Sequence, residues 1–297
     1  MQSPAPRQVG WRYDLGTGSE APLAIMCARA GAKKVYALER LSASAVAARE
    51  RIKSLQLDHI IEICEGTSTE VSLSERVDLC VSEVIGNIGG LEGAAQILRD
   101  ARRFLKPGGI MIPHRCVTLA APAVHPEAYY SDRDVEEVNR YYAQAIYKAV
   151  GHSFAISRFA TFNLPKANLL ATPDVFEDLD FTGGALVPAI RTISFRILRD
   201  SVCNGFVLWV QLHVDDQNIV DTWSGTSWAP VFLDAQAFDV RRDDEIAVEC
   251  RIEVSANGIN PNYELACTVR RNQRQLHHIT ISSPYIGAPT GKQDGVE

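Results

Sequence analysis

Residues 14–19 read Asp14-Leu15-Gly16-Thr17-Gly18-Ser19. The stretch before them, Val9-Gly10-Trp11-Arg12-Tyr13, is a candidate first strand, and Ala21–Ala30 (APLAIMCARA) after them is a candidate helix. Two glycines two apart let a chain turn tightly between strand and helix and let its backbone approach a ligand closely. Alone, the pair is equally a structural turn. The second strand, Lys34–Glu39 (KVYALE), gives it more meaning. It ends in an acid roughly 20 residues further on, where a carboxylate can accept ribose hydroxyls.

Working outward, short apolar runs at Ile60–Cys64, Val77–Ser82 and Gly109–Pro113 read as further strands. Ser42–Leu55, with Ser42 as its cap, and Glu92–Leu105, stopped by Pro107-Gly108-Gly109, read as helices. Alternating strands and helices predict a Rossmann-like, doubly wound α/β sheet, which takes ligands beyond the C-terminal ends of its strands. After Pro122 the pattern changes. Residues 126–149 look helical and carry Tyr129, Tyr130, Tyr141, Tyr142 and Tyr147. From Ile156 the chain reads mostly as strands, with apolar and polar residues alternating in Ile193–Ile197 and Ile246–Val254. That pattern predicts a β-barrel or sandwich. The expected division is 1–122 and 123–297, with a helical arm at about 126–149 and a disordered tail at 287–297.

Bulk properties exclude several classes. The chain has 297 residues, 46% hydrophobic and 22% charged, with a formal net charge of −6. A mildly acidic chain lacks the positive field that sequence-independent nucleic-acid binding needs. No stretch approaches the roughly 20 apolar residues of a membrane span, and the N-terminus has no signal-peptide pattern. The seven cysteines form no C-x-x-C pair and sit largely in apolar runs, as buried free thiols of a reducing compartment would. The cytoplasm is the expected location. No metal is expected: His277-His278 are adjacent on a candidate strand and so face opposite sides.

A second motif follows the fourth strand: Ser82-Glu83-Val84-Ile85-Gly86-Asn87-Ile88-Gly89-Gly90-Leu91-Glu92. Two carboxylates bracket a glycine-rich loop that can fold back and bring them together. Facing acids bind a planar guanidinium or a cationic amine, or share a proton and act as a base. For Glu92 a plain helix-start role competes, since an acid there is favourable by roughly 0.3–1 kcal/mol.

Together, DLGTGS, AGAKKVYALE, the paired-acid loop and LKPGGIMIP resemble the catalytic domain of the protein arginine methyltransferases. The second half is similar to that family's β-barrel, with residues 126–149 as its dimerisation arm and Thr226-Ser227-Trp228 at its Thr-His-Trp turn. The resemblance implies S-adenosyl-L-methionine as cofactor, S-adenosylhomocysteine as product, and a homodimer. It places Asp14, Gly16, Thr17, Gly18, Glu39, Arg40, Thr67, Ser68 and Glu83 around the cofactor. It makes Glu83 and Glu92 the catalytic acids, and puts Asn87, Ser227 and Trp228 at the acceptor, a small molecule or an arginine-containing partner.

The chain departs from the family at four places. Few residues precede the first strand, so the family's N-terminal lid is expected to be absent or supplied by another chain. Arg12 is expected to snorkel or to displace its strand, and Glu20 to bring bulk and charge to the cofactor loop. Ser227 and Asn87 replace a histidine and a large aromatic. Two other readings remain at this point: a non-catalytic dimeric scaffold, and a nicotinamide oxidoreductase using the same glycine loop and Glu39.

Overall fold

The structure is a computed structural model that describes residues 10–126, 158–183, 189–223 and 225–283. The expected arm beyond residue 126, the tail and the segment before the first strand lie outside the described residues. Contacts divide the chain into two compact units. The first comprises described residues 10–117, 177–183 and 210–221, and the remainder forms the second.

The first unit is built on a parallel sheet of five strands in the order β3-β2-β1-β4-β5. These are β1 (Trp11–Leu15), β2 (Lys34–Glu39), β3 (Ile61–Glu65), β4 (Val77–Ser82) and β5 (Leu105–Ile112). The order reverses between β1 and β4, which opens a crevice at the carboxyl ends of those two strands. α1 (Pro22–Arg29) begins with proline at its first position, where a missing N–H costs nothing, and ends before Gly31 at φ 87°. α2 (Ser42–Ser54) turns Ala45, Ala48 and Ile52 inward at helical spacing. Ala48 and Ile52, with Ala24, Ile25 and Ala28 of α1, pack against Val35, Ala37 and Ile61 of the sheet in one apolar cluster. α3 (Ala94–Ala101) buries Ala94, Ala95, Leu98 and Ala101.

Three expectations need correction. The third helix does not run from Glu92 to Leu105: it ends at Ala101, passes through a 3-10 turn at Arg102–Phe104, and β5 begins at Leu105. Pro107-Gly108-Gly109 therefore lies inside a strand. Val77 pairs with Leu105, yet Leu79 pairs with Ile110, so the segment bulges where Gly108 turns at φ 74°. Ser42 is not a helix cap, since Leu41 holds that position and the Ser42 hydroxyl donates to Glu65 at 2.6 Å. Arg12 does not displace its strand. It pairs in register with Val35 and Leu79 near the open start of β1, and its side chain is half-buried. Its charge acts on Asp78, whose carboxyl is held below its ordinary value chiefly by a hydrogen bond from Lys106.

The other strands are antiparallel or mixed in sequence order. β6 (Arg115–Ala123), β7 (Arg158–Ala160), β8 (Asp174–Asp180), β10 (Ser201–His213), β11 (Ile219–Asp221) and β12 (Val231–Val240) form a six-stranded sheet in the order β7-β12-β10-β6-β8, with β11 on β10. β9 (Ala189–Arg196), β13 (Glu245–Val254), β14 (Pro261–Arg271) and β15 (Arg274–Ser283) form an antiparallel sheet, β15-β14-β13-β9. In β13, Ile246, Val248, Cys250 and Ile252 alternate inward. An apolar cluster in the second unit joins Ala123, Leu164, Val207, Trp209 and Phe232.

Candidate active site

The glycine turn forms as its sequence requires. Gly16 and Gly18 adopt φ 78° and 67°, in the left-handed region that favours glycine. The backbone N–H groups of Gly16 and Thr17 donate to Leu38 O at 3.1 and 2.9 Å, which fastens the turn to the end of β2. At the end of β2, Glu39 is buried. Its carboxylate accepts from Gly18 N–H at 2.9 Å and from Leu41 N–H at 2.8 Å. Each oxygen keeps a second lone pair for a ligand hydroxyl.

Asp14, near the end of β1, is fully buried. One carboxylate oxygen accepts from the Thr17 hydroxyl at 2.6 Å, and the other, Oδ1, is a buried atom with no hydrogen-bond partner. Burial, which outweighs the Thr17 bond and the pull of the nearby Ala24 backbone N–H, raises its pKa from 3.8 to about 6, although no hydrogen bond of good geometry reaches Oδ1. An orphaned acceptor at the carboxyl edge of a parallel sheet is what a polar ligand group would satisfy. A β-carbon on Gly18 would meet nothing within 4 Å, so open space adjoins the turn.

The raised pKa makes a prediction. A carboxyl whose native pKa is raised costs the fold nothing below its unfolded value and its full penalty above the native one. The rise from 3.8 to about 6 amounts to on the order of 3 kcal/mol. Asp14→Asn is therefore expected to be more stable than the parent above about pH 6, by up to roughly that amount, with the gain vanishing near pH 4. The same substitution is expected to weaken ligand binding. Urea unfolding of both proteins across that range checks this, and a difference that does not change with pH would contradict it.

Ser82, which ends β4, donates its hydroxyl to Leu15 O at 3.2 Å across the switch point. The paired-acid loop starts at the next residue. Ile85 and Ile88 anchor it in the interior. Its turns are closed by Leu91 N–H on Ile88 O at 2.9 Å and Gly93 N–H on Gly90 O at 2.8 Å. A β-carbon on Gly86 would lie 2.8 Å from Leu91 Cβ and 3.5 Å from Glu92 Cγ, so the loop does fold back on itself. A β-carbon on Gly16 would lie 3.0 Å from Val84 Cγ1, which brings the acid loop against the glycine turn. Both acids are exposed, yet partial desolvation and then the Glu92 charge raise the pKa of Glu83.

The remaining candidates divide. Thr67 donates through its N–H and its hydroxyl to Glu70 at 3.0 and 2.7 Å, Ser68 is buried, and Arg40 is exposed. Asn87 is half-buried within the acid loop. Ser227 is exposed and Trp228 half-buried, in a turn of the second unit closed by the Thr226 hydroxyl on Trp228 O at 2.9 Å. Glu20 does not crowd the glycine loop as expected. Its side chain is 74% exposed and pairs with Arg51 of α2 at 3.4 Å. His277 packs near the Phe238 ring, and His278 Nδ1 lies 3.3 Å from the Thr268 hydroxyl.

Residues 13–112 match a family model described as a methyltransferase domain. Protein arginine N-methyltransferase 10 of Arabidopsis thaliana is 44% identical over 110 residues, 37% of this chain and 28% of the relative. A probable protein arginine N-methyltransferase 6 of the same plant is 30% identical over 200 residues, 66% of this chain and 46% of the relative. This chain is related to the protein arginine methyltransferases. It spans between about a quarter and a half of the length of these two curated relatives. Two solved structures share its fold. The Arabidopsis protein arginine methyltransferase 10 has a TM-score of 0.74 at 23% identity, covering 93% of this chain and 89% of that one. The protein arginine methyltransferase 1 enzyme–prozyme complex of Trypanosoma brucei has 0.73 at 16%, with the same coverages.

Sequence reasoning missed one residue of the methyltransferase-like unit. Glu177 of β8 is buried, and its Oε2 accepts from Gly90 N–H in the acid loop at 2.9 Å. A signal was present. Along Val175, Glu177, Leu179 and Phe181, strict strand alternation places an acid on an otherwise apolar face.

Proposed function

We propose that this chain is an S-adenosylmethionine-dependent methyltransferase acting on a nucleophilic nitrogen, either of an arginine-like guanidinium or of a small cationic amine. The observation that carries the reading is the contact of Val84 with Gly16, which sets a two-carboxylate loop beside a glycine turn flanked by Asp14 and Glu39. Bound at that turn, S-adenosylmethionine supplies an electrophilic methyl group on a sulfonium, and S-adenosylhomocysteine is the product.

The chain's own residues do the rest. Asp14 Oδ1 and the free lone pairs of Glu39 accept ligand donors. Thr17 holds the other Asp14 oxygen and so fixes the carboxylate plane. Glu83 and Glu92 repel one another, and a cation between them relieves that repulsion, so the pair selects a positively charged acceptor. Holding that acceptor in line with the methyl group removes orientational freedom from the barrier. The ionised pair then accepts the proton that the alkylated nitrogen gives up.

Glu20 turns away toward Arg51, and Arg12 lies at the far end of β1, so neither intrudes on the turn. That favours a working site over a scaffold. Asn87, at a position where a large aromatic would stand, changes the shape and polarity of the acid loop, which leaves room for an acceptor other than a protein arginine. No helix among the described residues is long and apolar enough to cross a membrane. We place the protein in the cytoplasm as a homodimer.

Calorimetric titration with S-adenosylhomocysteine tests the reading. Micromolar binding is expected. No heat at millimolar ligand, with a dinucleotide binding instead, would replace it with the oxidoreductase reading. Silence toward both would leave a scaffold.

A further inference from the structure

A loop with glycine at 86, 89, 90 and 93 is soft. Its internal hydrogen bonds are short-range turns, and one of them, Gly86 N–H to Gly89 O, is long at 3.4 Å. Such turns close the loop on itself but do not say where it sits against the rest of the unit. Contacts with other elements do, among them that of Val84 with Gly16. Ile85 and Ile88 are buried pegs on its first half. On the second half, two residues before Glu92, Gly90 N–H points at Glu177 Oε2 at 2.9 Å, from a strand 87 residues away in sequence.

Glu177 is only 5% exposed. Burying a carboxylate is expensive, and a backbone N–H can be satisfied as well by a neutral oxygen. Its charge also disfavours further negative charge nearby: it is the largest electrostatic contribution, after burial, to the raised pKa of the Cys116 thiol. What this acceptor does supply is a point of attachment outside the loop, on a strand whose place the sheet sets. It suits a place where a soft loop has to be held in one position.

We infer that Glu177 is a positioning residue, whose buried carboxylate grips Gly90 and thereby seats Glu92 opposite Glu83. The inference deepens the methyltransferase reading and rests on it for its functional meaning, but the seating itself is open to direct measurement. If Glu177 lets go of Gly90, the loop relaxes, Glu92 moves away from Glu83, and the mutual effect of the two acids weakens. Glutamine keeps an oxygen for Gly90 N–H, and alanine does not.

The experiment is a carboxyl-carbon NMR titration of Glu83 in the full chain, assigned with Glu83→Gln, in the parent, Glu177→Ala and Glu177→Gln. Glu83 is expected to titrate above the ordinary range in the parent and in Glu177→Gln, and to fall toward the ordinary value in Glu177→Ala. Amide exchange at residues 86–93 should quicken at least tenfold in the alanine variant, with glutamine close to the parent. A Glu83 titration unchanged by alanine, in a variant that folds, overturns the inference. So does a glutamine variant that behaves like alanine, because the requirement would then be charge rather than seating. If alanine fails to fold, Glu177→Gln and Glu177→Asp decide: the inference needs glutamine to keep the raised titration and the shorter aspartate to lose it. With an acceptor in hand, alanine should lower kcat about 10- to 100-fold with S-adenosylhomocysteine affinity unchanged. Absence of S-adenosylhomocysteine binding in the parent defeats the methyltransferase reading and leaves the seating result to stand or fall by the titration.

Discussion

Glu83→Gln is expected to lower methyl transfer by roughly 10²–10³-fold, about 3–4 kcal/mol of barrier, which is the usual cost of deleting one preorganised charge at a reacting centre. S-adenosylhomocysteine affinity is expected to stay within about threefold of the parent, because the substitution is isosteric and the glycine turn is held by Leu38 and Glu39 rather than by Glu83. Partial desolvation and the Glu92 charge both push the Glu83 proton affinity up. In the parent, therefore, the acid limb of the rate profile lies above the range of an ordinary glutamate. The ionised pair is the active form, so activity is present above that limb and is lost as pH falls through it. In Glu83→Gln the residual activity should lose that displaced limb, since the pair no longer exists. Rate profiles of both proteins, with calorimetry alongside, check the two halves. A variant that turns over like the parent would remove the acid pair from the mechanism. One that loses S-adenosylhomocysteine binding as well would make Glu83 a cofactor residue first.

How far the sequence discloses this site depends on which interactions are local. β2 and β4 lie where their runs of buried residues predict, Lys34–Glu39 and Val77–Ser82, because a strand covered on both faces is apolar throughout and ends where polarity returns. The glycine turn and the acid loop are equally visible, since a positive φ or a close approach calls for glycine at a fixed offset. What is not visible is decided by partners distant in the chain. Pro107-Gly108-Gly109 reads as a stop, and locally it is one. Pairing with β4 on either side converts it into a bulge within β5. Glu20 reads as an intruder in the loop until Arg51, a full strand and helix later, draws it outward. Glu177 illustrates both sides: its misplaced polarity on an apolar strand face is in the sequence, but its partner Gly90 is not. The turn that carries Ser227 and Trp228 belongs to the second unit.

Gly205→Ala is expected to cost the second unit about 3 kcal/mol or more, and the reason lies in the same kind of distant pairing. Gly205 sits in β10 where the ladder with β12 slips: Cys203 faces Phe238, and Gly205 faces Asp234. The slip packs two extra residues into β12 and brings its backbone close. A β-carbon at position 205 would stand 2.3 Å from Leu233 O and 2.5 Å from Phe232 Cζ. Neither neighbour can yield cheaply. Leu233 is held by pairing to Phe206 on one side and Arg158 on the other. Phe232 is fully buried among Trp209, Val207 and Leu164. Relief requires breaking ladder hydrogen bonds or forcing the ring from its place in a close-packed core. For a unit of this size the loss corresponds to a fall in Tm of roughly 6–12 °C. Tryptophan fluorescence is a suitable probe, because Trp209, Trp223 and Trp228 lie in the second unit and Trp11 alone in the first. Gly258→Ala serves as the control: no atom lies within 4 Å of the added carbon, and only the strain of φ 75° remains, about 1–2 kcal/mol. If Gly205→Ala melts no earlier than that control, then β10 and β12 do not approach as closely as the bulge demands, and the register of the six-stranded sheet at Cys203–Gly205 is wrong.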